Sequence, residues 1–288
     1  MRIPDLFGRG SPVFSFEFFL PKNADDLTQF LASVQELKPL NPSFVTLTYG
    51  AGGTARNLTV EAAGRIKKEL GLETACHLTG IAHTRAEISG ILDRIAAHGI
   101  NTIVALRGDK PKDGDILPVG ARDFDYARDL VEFIKKRGGF NIAVAGYPET
   151  HPEAPSAAAD LDCLVQKVKA GADWVITQLF FDNRDYFAFV ERARKSGVAV
   201  PIVPGIMPVT GYAQLKRFTS LCGAKLPASM TADLEKIQND PEAVIRFGID
   251  YATRQCRELL KGGAPGIHFY TLNKSHSTAT ILDNLRKN

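Results

Sequence analysis

The sequence lacks the features that mark secreted, membrane and nucleic-acid-binding proteins. Its N-terminus has no apolar core of a signal peptide, and no apolar stretch approaches the length that spans a bilayer. Lysine and arginine exceed aspartate and glutamate by only 35 − 32 = 3 charges, and no basic run is interleaved with aromatic residues. These absences predict a cytoplasmic protein that binds neither a membrane nor nucleic acid.

Cysteine is also scarce, and no cysteine or histidine spacing indicates a metal site. The 4 cysteines form no C-x-x-C pair, and the 6 histidines include no H-E-x-x-H. We therefore expect no metal and reduced thiols, as in a cytosolic protein.

What the sequence does contain is a regular alternation of apolar runs and helical periods. Eight runs have the composition of buried parallel strands, and a segment with helical spacing follows each of them. This order predicts an α/β protein with one (β/α)8 TIM barrel over residues 1–288, and extra helices between strands seven and eight. The predicted strands lie near residues 14–19, 44–48, 74–77, 102–106, 141–145, 174–177, 201–204 and 266–270.

Capping residues predict several helix ends. Thr84 and Glu87 have the spacing of a capping box, and Asp240 followed by Pro241 is typical of a helix start. Asn23 can cap the first helix in the same way. Gly138 and its neighbour Gly139 predict the end of a helix before the fifth strand.

Polar side chains follow most of the predicted strands. In a barrel of this kind the C-terminal strand ends meet at one rim, so we expect these residues to surround a site for a large polar ligand. Such a site favours an enzyme over a scaffold. The residues are Glu17, Thr48, Tyr49, His77, Arg107, Asp109, Tyr147, His151, Gln178, Tyr270 and Asn273.

Glu17 is the main candidate for a catalytic group. It lies between Phe16 and Phe18, and a strand period of two places it on the same face as Ser15. A carboxyl in an apolar strand can have its pKa raised toward neutrality, which suits a general acid. The other interpretation is a strand glutamate in a salt bridge.

Three loops each allow two interpretations. Residues 50–55 fit the G-x-G-x-x-A fingerprint of a Rossmann dehydrogenase, although they follow the second strand, so a tight loop is favoured. Arg107 either holds an anionic group, with Gly108 letting the backbone come close and Asp109 facing the pocket, or forms a surface ion pair with Asp109. Residues 147–154 contain two prolines and form either a rigid wall for a ring or a surface turn.

Eight stretches together resemble the methylenetetrahydrofolate reductase family, in the family's order and over nearly the whole chain. They are residues 14–19, 46–53, 76–79, 106–109, 147–154, 176–182, 204–208 and 268–273. The resemblance implies a barrel enzyme of one-carbon metabolism and methionine supply. It reduces 5,10-methylenetetrahydrofolate to 5-methyltetrahydrofolate with NADH or NADPH, in a ping-pong reaction through FAD.

The resemblance also implies roles for single residues. Glu17 matches the general acid, and Asp109 matches a catalytic carboxylate near the flavin. Positions that match substrate contacts are Gln178, Gln214, Phe218 and Lys274. Positions that match flavin contacts are Thr48, Tyr49, Ala51, His77, Arg107, Gly108, Asp109, Tyr126, Ala127, Tyr147, His151, Ala154, Asp160 and Lys167.

Some positions depart from the family's pattern. Cys163 and Gln166 stand where relatives can have Asn and Arg. Lys274 stands where an Arg can occur, and a lysine cannot form the two parallel hydrogen bonds of a guanidinium. These changes leave open a non-catalytic folate- or flavin-binding protein, and the glycine loop leaves open a flavin-free nicotinamide dehydrogenase. We expect the form without a regulatory domain after the barrel. The sequence leaves the oligomeric state open, a homo-oligomer included.

Overall fold

Parallel strands form one sheet that curls into a barrel in the computed structural model, which describes residues 2–21, 23–49, 53–109 and 122–287. Each strand pairs with its sequence neighbour, and β1 pairs with β9 on its other side. The strands are β1 (Val13–Phe18), β2 (Phe44–Leu47), β3 (Thr74–Thr79), β4 (Thr102–Leu106), β5 (Asn141–Gly146), β6 (Trp174–Thr177), β7 (Ile202–Val203), β8 (Gly205–Ile206) and β9 (Gly266–Tyr270).

The two shortest strands close the barrel as one interrupted strand. β7 pairs with β6 and β8 pairs with β9, and only Pro204 separates them. Proline has no N–H for a sheet ladder, but its carbonyl accepts from the His268 N–H at 2.9 Å. The nine strand segments are therefore the eight strands of the predicted (β/α)8 barrel. A closed barrel also excludes the open sheet of a Rossmann fold.

Helices surround the barrel, and two extra ones separate β8 from the long helix before β9, as predicted. Among the described residues, no helix is long and apolar enough to cross a membrane. The helices are α1 (Leu27–Leu37), α2 (Gly53–Arg65), α3 (Arg85–Ala97), α4 (Ala127–Arg137), α5 (Ala157–Lys169), α6 (Asn183–Lys195), α7 (Tyr212–Cys222), α8 (Ala228–Ile237), α9 (Pro241–Lys261) and α10 (Ser275–Arg286).

Most of the predicted helix ends are confirmed. Thr84 forms the capping box with Glu87, and the Asp240 side chain accepts from the Ala243 N–H. The prediction for Asn23 is wrong. A short 3-10 helix (Ala24–Asp26) precedes α1, so the N-cap residue of α1 is Asp26.

The strands bury two different faces. Phe16 and Phe18 on β1 face outward and pack in the layer between the strands and the helices. Ser15 and Glu17 lie on the opposite face inside the barrel, as the period of two predicts. The apolar outer face holds the helices in place, and the inner face is left for polar groups at one end.

The other end of the barrel has an apolar floor that the sequence pattern does not reveal. A 3-10 helix (Ile3–Leu6) covers it, and the Phe7 ring lies 6.1 Å from the ring of Trp174. Ile3 and Trp174 are fully buried there, against Phe44. This floor closes the N-terminal end of the barrel interior.

Candidate functional site

A cluster of polar side chains fills the C-terminal half of the barrel interior. The Glu17 Oε2 atom lies 3.2 Å from His77 Nε2 and 3.3 Å from His268 Nε2. Ser15 Oγ is 2.8 Å from the other ring nitrogen of His268, and Thr46 Oγ1 donates to Glu17 Oε2 at 3.4 Å. Five side chains from four adjacent strands thus form one buried polar cluster, which we call the barrel cluster.

The pKa of Glu17 contradicts the expectation of a neutral carboxyl. Burial alone raises this pKa, but the charges and hydrogen bonds of His77 and His268 outweigh burial and lower it to about 2. The expectation failed because the phenylalanines next to Glu17 in sequence face away from it, and two imidazoles surround it instead. Glu17 is therefore ionised in the ligand-free protein.

This low pKa predicts a pH-dependent contribution of Glu17 to stability. Because the pKa falls from 4.5 to about 2 on folding, the contribution is complete above pH 4.5 and is lost as the pH falls toward 2. Glu17→Gln should lower the free energy of unfolding at neutral pH by about 3 kcal/mol. Urea unfolding at several pH values measures this, and the difference from wild type should shrink below pH 4.5.

Glu242→Gln is the matched control, since the Glu242 side chain is 87% exposed. Its effect on unfolding should be small and should change little over the same pH range. A stability loss in Glu17→Gln that stays constant from neutral pH down to about pH 3 would show that the barrel cluster does not hold Glu17 ionised.

The loop after β2 lies beside the barrel cluster. Thr48 Oγ1 accepts from the Leu20 N–H at 3.0 Å, and the Tyr49 hydroxyl is 3.1 Å from His83 Nε2. Ala51 lies outside the described residues, as do Gly50 and Gly52 of the predicted fingerprint.

The loop after β4 carries the predicted anion-binding residues. Arg107 makes a bidentate ion pair with Glu153, at 2.7 and 3.1 Å, so its fork already has a carboxylate partner. Gly108 has φ +89°, and a Cβ there would lie 2.7 Å from the Ile81 side chain, which only glycine avoids. Asp109 is exposed at the rim.

The loop after β5 carries three of the predicted flavin positions, Tyr147, His151 and Ala154. The rings of Tyr147 and His151 pack edge to face at 4.6 Å, and Asp160 accepts from the His151 N–H. Burial raises the pKa of Tyr147 to about 12, so the phenol is neutral. Ala154 closes the turn by donating its N–H to the His151 carbonyl at 2.9 Å.

Two further predicted flavin positions lie where α4 begins. Ala127 is the first residue of α4, and the Tyr126 side chain is 46% exposed, which is unusual for a large ring. On the neighbouring helix α5, the Lys167 Nζ donates to the Ala145 carbonyl at 2.6 Å. Burial lowers the pKa of Lys167 to about 8.

Three of the predicted substrate residues form a second group, with Gln214 and Phe218 on α7 and Lys274 on the loop after β9. Thr210 joins two of them, because its Oγ1 lies 3.1 Å from Gln214 Oε1 and 3.4 Å from Lys274 Nζ. Phe218 is partly buried one turn further along α7. Gln178 lines a small pocket with Tyr147, so it lies beside the loop after β5.

Sequence reasoning left His268, Thr46 and Thr210 without a role. His268 and Thr46 lie two residues before Tyr270 and Thr48, on inward-facing positions, so the strand period could have found them. No local signal marks Thr210.

Within the described ranges, no group of three or more histidine, cysteine, aspartate or glutamate side chains is arranged to hold a metal ion.

Comparison with known protein families gives one match over almost the whole chain. The family described as methylenetetrahydrofolate reductase matches residues 2–286. The chain is 41% identical to the 5,10-methylenetetrahydrofolate reductase of Pectobacterium carotovorum over 94% of this chain and 89% of that protein. The Escherichia coli protein of the same name is 40% identical over similar shares, 94% and 90%.

Plant relatives are longer. Methylenetetrahydrofolate reductase (NADH) 1 of Arabidopsis thaliana is 39% identical over 99% of this chain, but the match covers 50% of the plant protein. The chain thus spans half the length of the plant relatives that it matches.

Solved structures of low sequence identity share the fold. A Clostridium thermocellum protein described as binding two copies of 5-methyl-5,6,7,8-tetrahydrofolic acid has a TM-score of 0.66 at 12% identity, covering 97% of this chain and 95% of its own. A Coxiella burnetii dihydropteroate synthase in complex with pteroic acid has a TM-score of 0.54 at 10% identity, covering 96% and 94%. At these identities the likeness shows the barrel fold alone.

Proposed function

Because the chain belongs to the methylenetetrahydrofolate reductase family, we propose that it reduces 5,10-methylenetetrahydrofolate to 5-methyltetrahydrofolate with NADH or NADPH and FAD. The observation that supports this proposal is the barrel cluster, whose Glu17 carboxyl lies inside the C-terminal half of the barrel and could act as an acid–base group. When bound, FAD would supply the hydride chemistry of both half-reactions, first with the nicotinamide and then with the folate.

The residues after β4, β5 and at the start of α4 fit a flavin dinucleotide. Gly108 lets the backbone of that loop approach closely, because it has no side chain. Tyr126 offers an exposed flat ring, and Tyr147 and His151 form a wall. Asp109, exposed at the rim, would favour positive charge on a folate beside it.

The group around Thr210 fits the folate. Lys274 is a cation for the glutamate carboxylates, and Gln178 and Gln214 offer amides for hydrogen bonds. Phe218 offers an apolar face for a pterin or nicotinamide ring. Both groups follow C-terminal strand ends, and Glu17 is buried inside the barrel.

In the proposed reaction Glu17 delivers the proton that ring opening needs. Opening the five-membered ring to an iminium cation leaves negative charge on a nitrogen, which must be protonated. All polar contacts of the Glu17 carboxyl with described residues use Oε2, so Oε1 remains for the substrate nitrogen. A proton from solvent passes to Glu17 as the substrate binds, and from Glu17 to that nitrogen. The imidazoles then stabilise the carboxylate again.

Anaerobic stopped-flow spectroscopy of the flavin tests this function. We expect the FAD-loaded protein to be bleached by NADH or NADPH and then reoxidised by 5,10-methylenetetrahydrofolate, with 5-methyltetrahydrofolate as the product. Comparing the two nicotinamides at equal concentration identifies the physiological donor.

Three results would contradict the proposal. A protein that takes up no FAD but oxidises nicotinamide would favour the flavin-free dehydrogenase. Tight binding of FAD and folate with neither half-reaction would favour a binding protein. Reoxidation of the reduced flavin by oxygen alone, with no effect of the folate, would show that the folate is not the hydride acceptor.

A further inference from the structure

The described cations near the proposed dinucleotide site are mostly engaged with other partners. Arg107 is paired with Glu153 through both arms of its fork, and Arg122 lies 3.2 Å from Asp125. The Lys167 ammonium donates to a backbone carbonyl of β5. A dinucleotide carries two phosphates, which are best held by an exposed guanidinium with donors to spare.

Arg128 on the first turn of α4 is such a group. Its side chain is 46% exposed, and its guanidinium carbon lies 5.1 Å from the centre of the Tyr126 ring. Its Nη1 donates to Gln166 Oε1 on α5, and its Nε lies 3.4 Å from Asp129 Oδ1. A guanidinium carries five N–H groups, more than these two contacts use.

Gln166 acts as the support of this arginine. Its amide nitrogen donates to Asp162, which turns its amide oxygen toward Arg128. Since the two side chains touch across the α4–α5 groove, a cation at either position would place positive charge at the same point. The neutral Gln166 and the charged Arg128 therefore form a pair that carries one positive charge.

On the basis of the proposed function, we propose that Arg128 binds the diphosphate of the dinucleotide, held in place by Gln166 and stacked on Tyr126. Gln166 on α5 is neutral, so the positive charge at this point comes from Arg128 on the facing helix α4. Arg128 is a binding residue in this role and takes no part in proton or hydride transfer.

Titration of the apoprotein with FAD, followed by flavin fluorescence, tests this role. Arg128→Gln should raise the dissociation constant of FAD about tenfold, since a hydrogen bond to a charged group is lost. Potassium chloride should weaken FAD binding less in Arg128→Gln than in wild type, because one charge pair is missing. The double variant Arg128→Gln/Gln166→Arg should recover most of the affinity.

Lys136→Gln is the matched control, because it removes the same charge from the last turn of α4, where the side chain is 76% exposed. It should change FAD affinity by less than about twofold. Arg128→Gln that binds FAD like Lys136→Gln, or a double variant no better than Arg128→Gln, would overturn the assignment. Wild-type apoprotein that binds no FAD would instead overturn the proposed function itself.

Discussion

Glu17→Gln should abolish most of the folate half-reaction and spare the nicotinamide half-reaction. General acid catalysis by a positioned group contributes about 100- to 10,000-fold, and glutamine cannot give up a proton. Hydride transfer from a nicotinamide protonates no leaving nitrogen, so flavin reduction should change by less than about threefold. Stopped-flow measurement of each half-reaction, at saturating substrate, gives the two rates separately.

Ser15→Ala is the matched variant for this experiment. It removes the 2.8 Å contact to His268 but keeps the Glu17 carboxyl, so the folate half-reaction should fall by less than in Glu17→Gln. Equal losses in both half-reactions of Glu17→Gln would contradict the acid role and would indicate disturbed flavin binding instead.

Gly248→Ala should destabilise the protein by about 3 kcal/mol, although alanine is the better helix former. Gly248 lies inside α9, and a Cβ there would lie 2.0 Å from the Val209 carbonyl oxygen. Because that neighbour is backbone, either α9 or the segment at 209 must move. Urea unfolding of the two proteins measures the difference. The KM for folate should also rise, because Val209 adjoins Thr210.

Gly90→Ala also changes a glycine inside a helix, but here we expect alanine to stabilise the protein. Gly90 is exposed inside α3, and a Cβ added there would meet no other atom within 4 Å, so alanine should stabilise by about 0.5 to 1 kcal/mol. If Gly248→Ala stabilises the protein as Gly90→Ala does, that result would contradict the close contact between α9 and the Val209 backbone.

Much of the fold follows from periodicity. Buried parallel strands read as short apolar runs, and the helices between them have helical spacing, so eight units could be counted without knowing any contact. The rim residues follow from the same count, because parallel strands all end on one side. Glu17, His77 and Tyr270 were placed correctly at that side for this reason.

The partners of these residues could not be predicted in the same way. Glu17 and His268 are 251 residues apart, and a strand period gives the face of a side chain but not the side chain opposite it. The pKa of Glu17 depends on these opposing side chains, so the predicted upward shift of that pKa was wrong. The floor helix (Ile3–Leu6) is too short to show any period.

The floor limits the direction from which ligands can reach the barrel interior. Since the buried Ile3 and Trp174 close the N-terminal end of the barrel interior, reactants approach Glu17 from the C-terminal end. On the proposed reaction, the spent nicotinamide must leave by the same end through which the folate enters. An excess of either reactant should therefore obstruct the other, and the two should behave as competitors in steady-state inhibition.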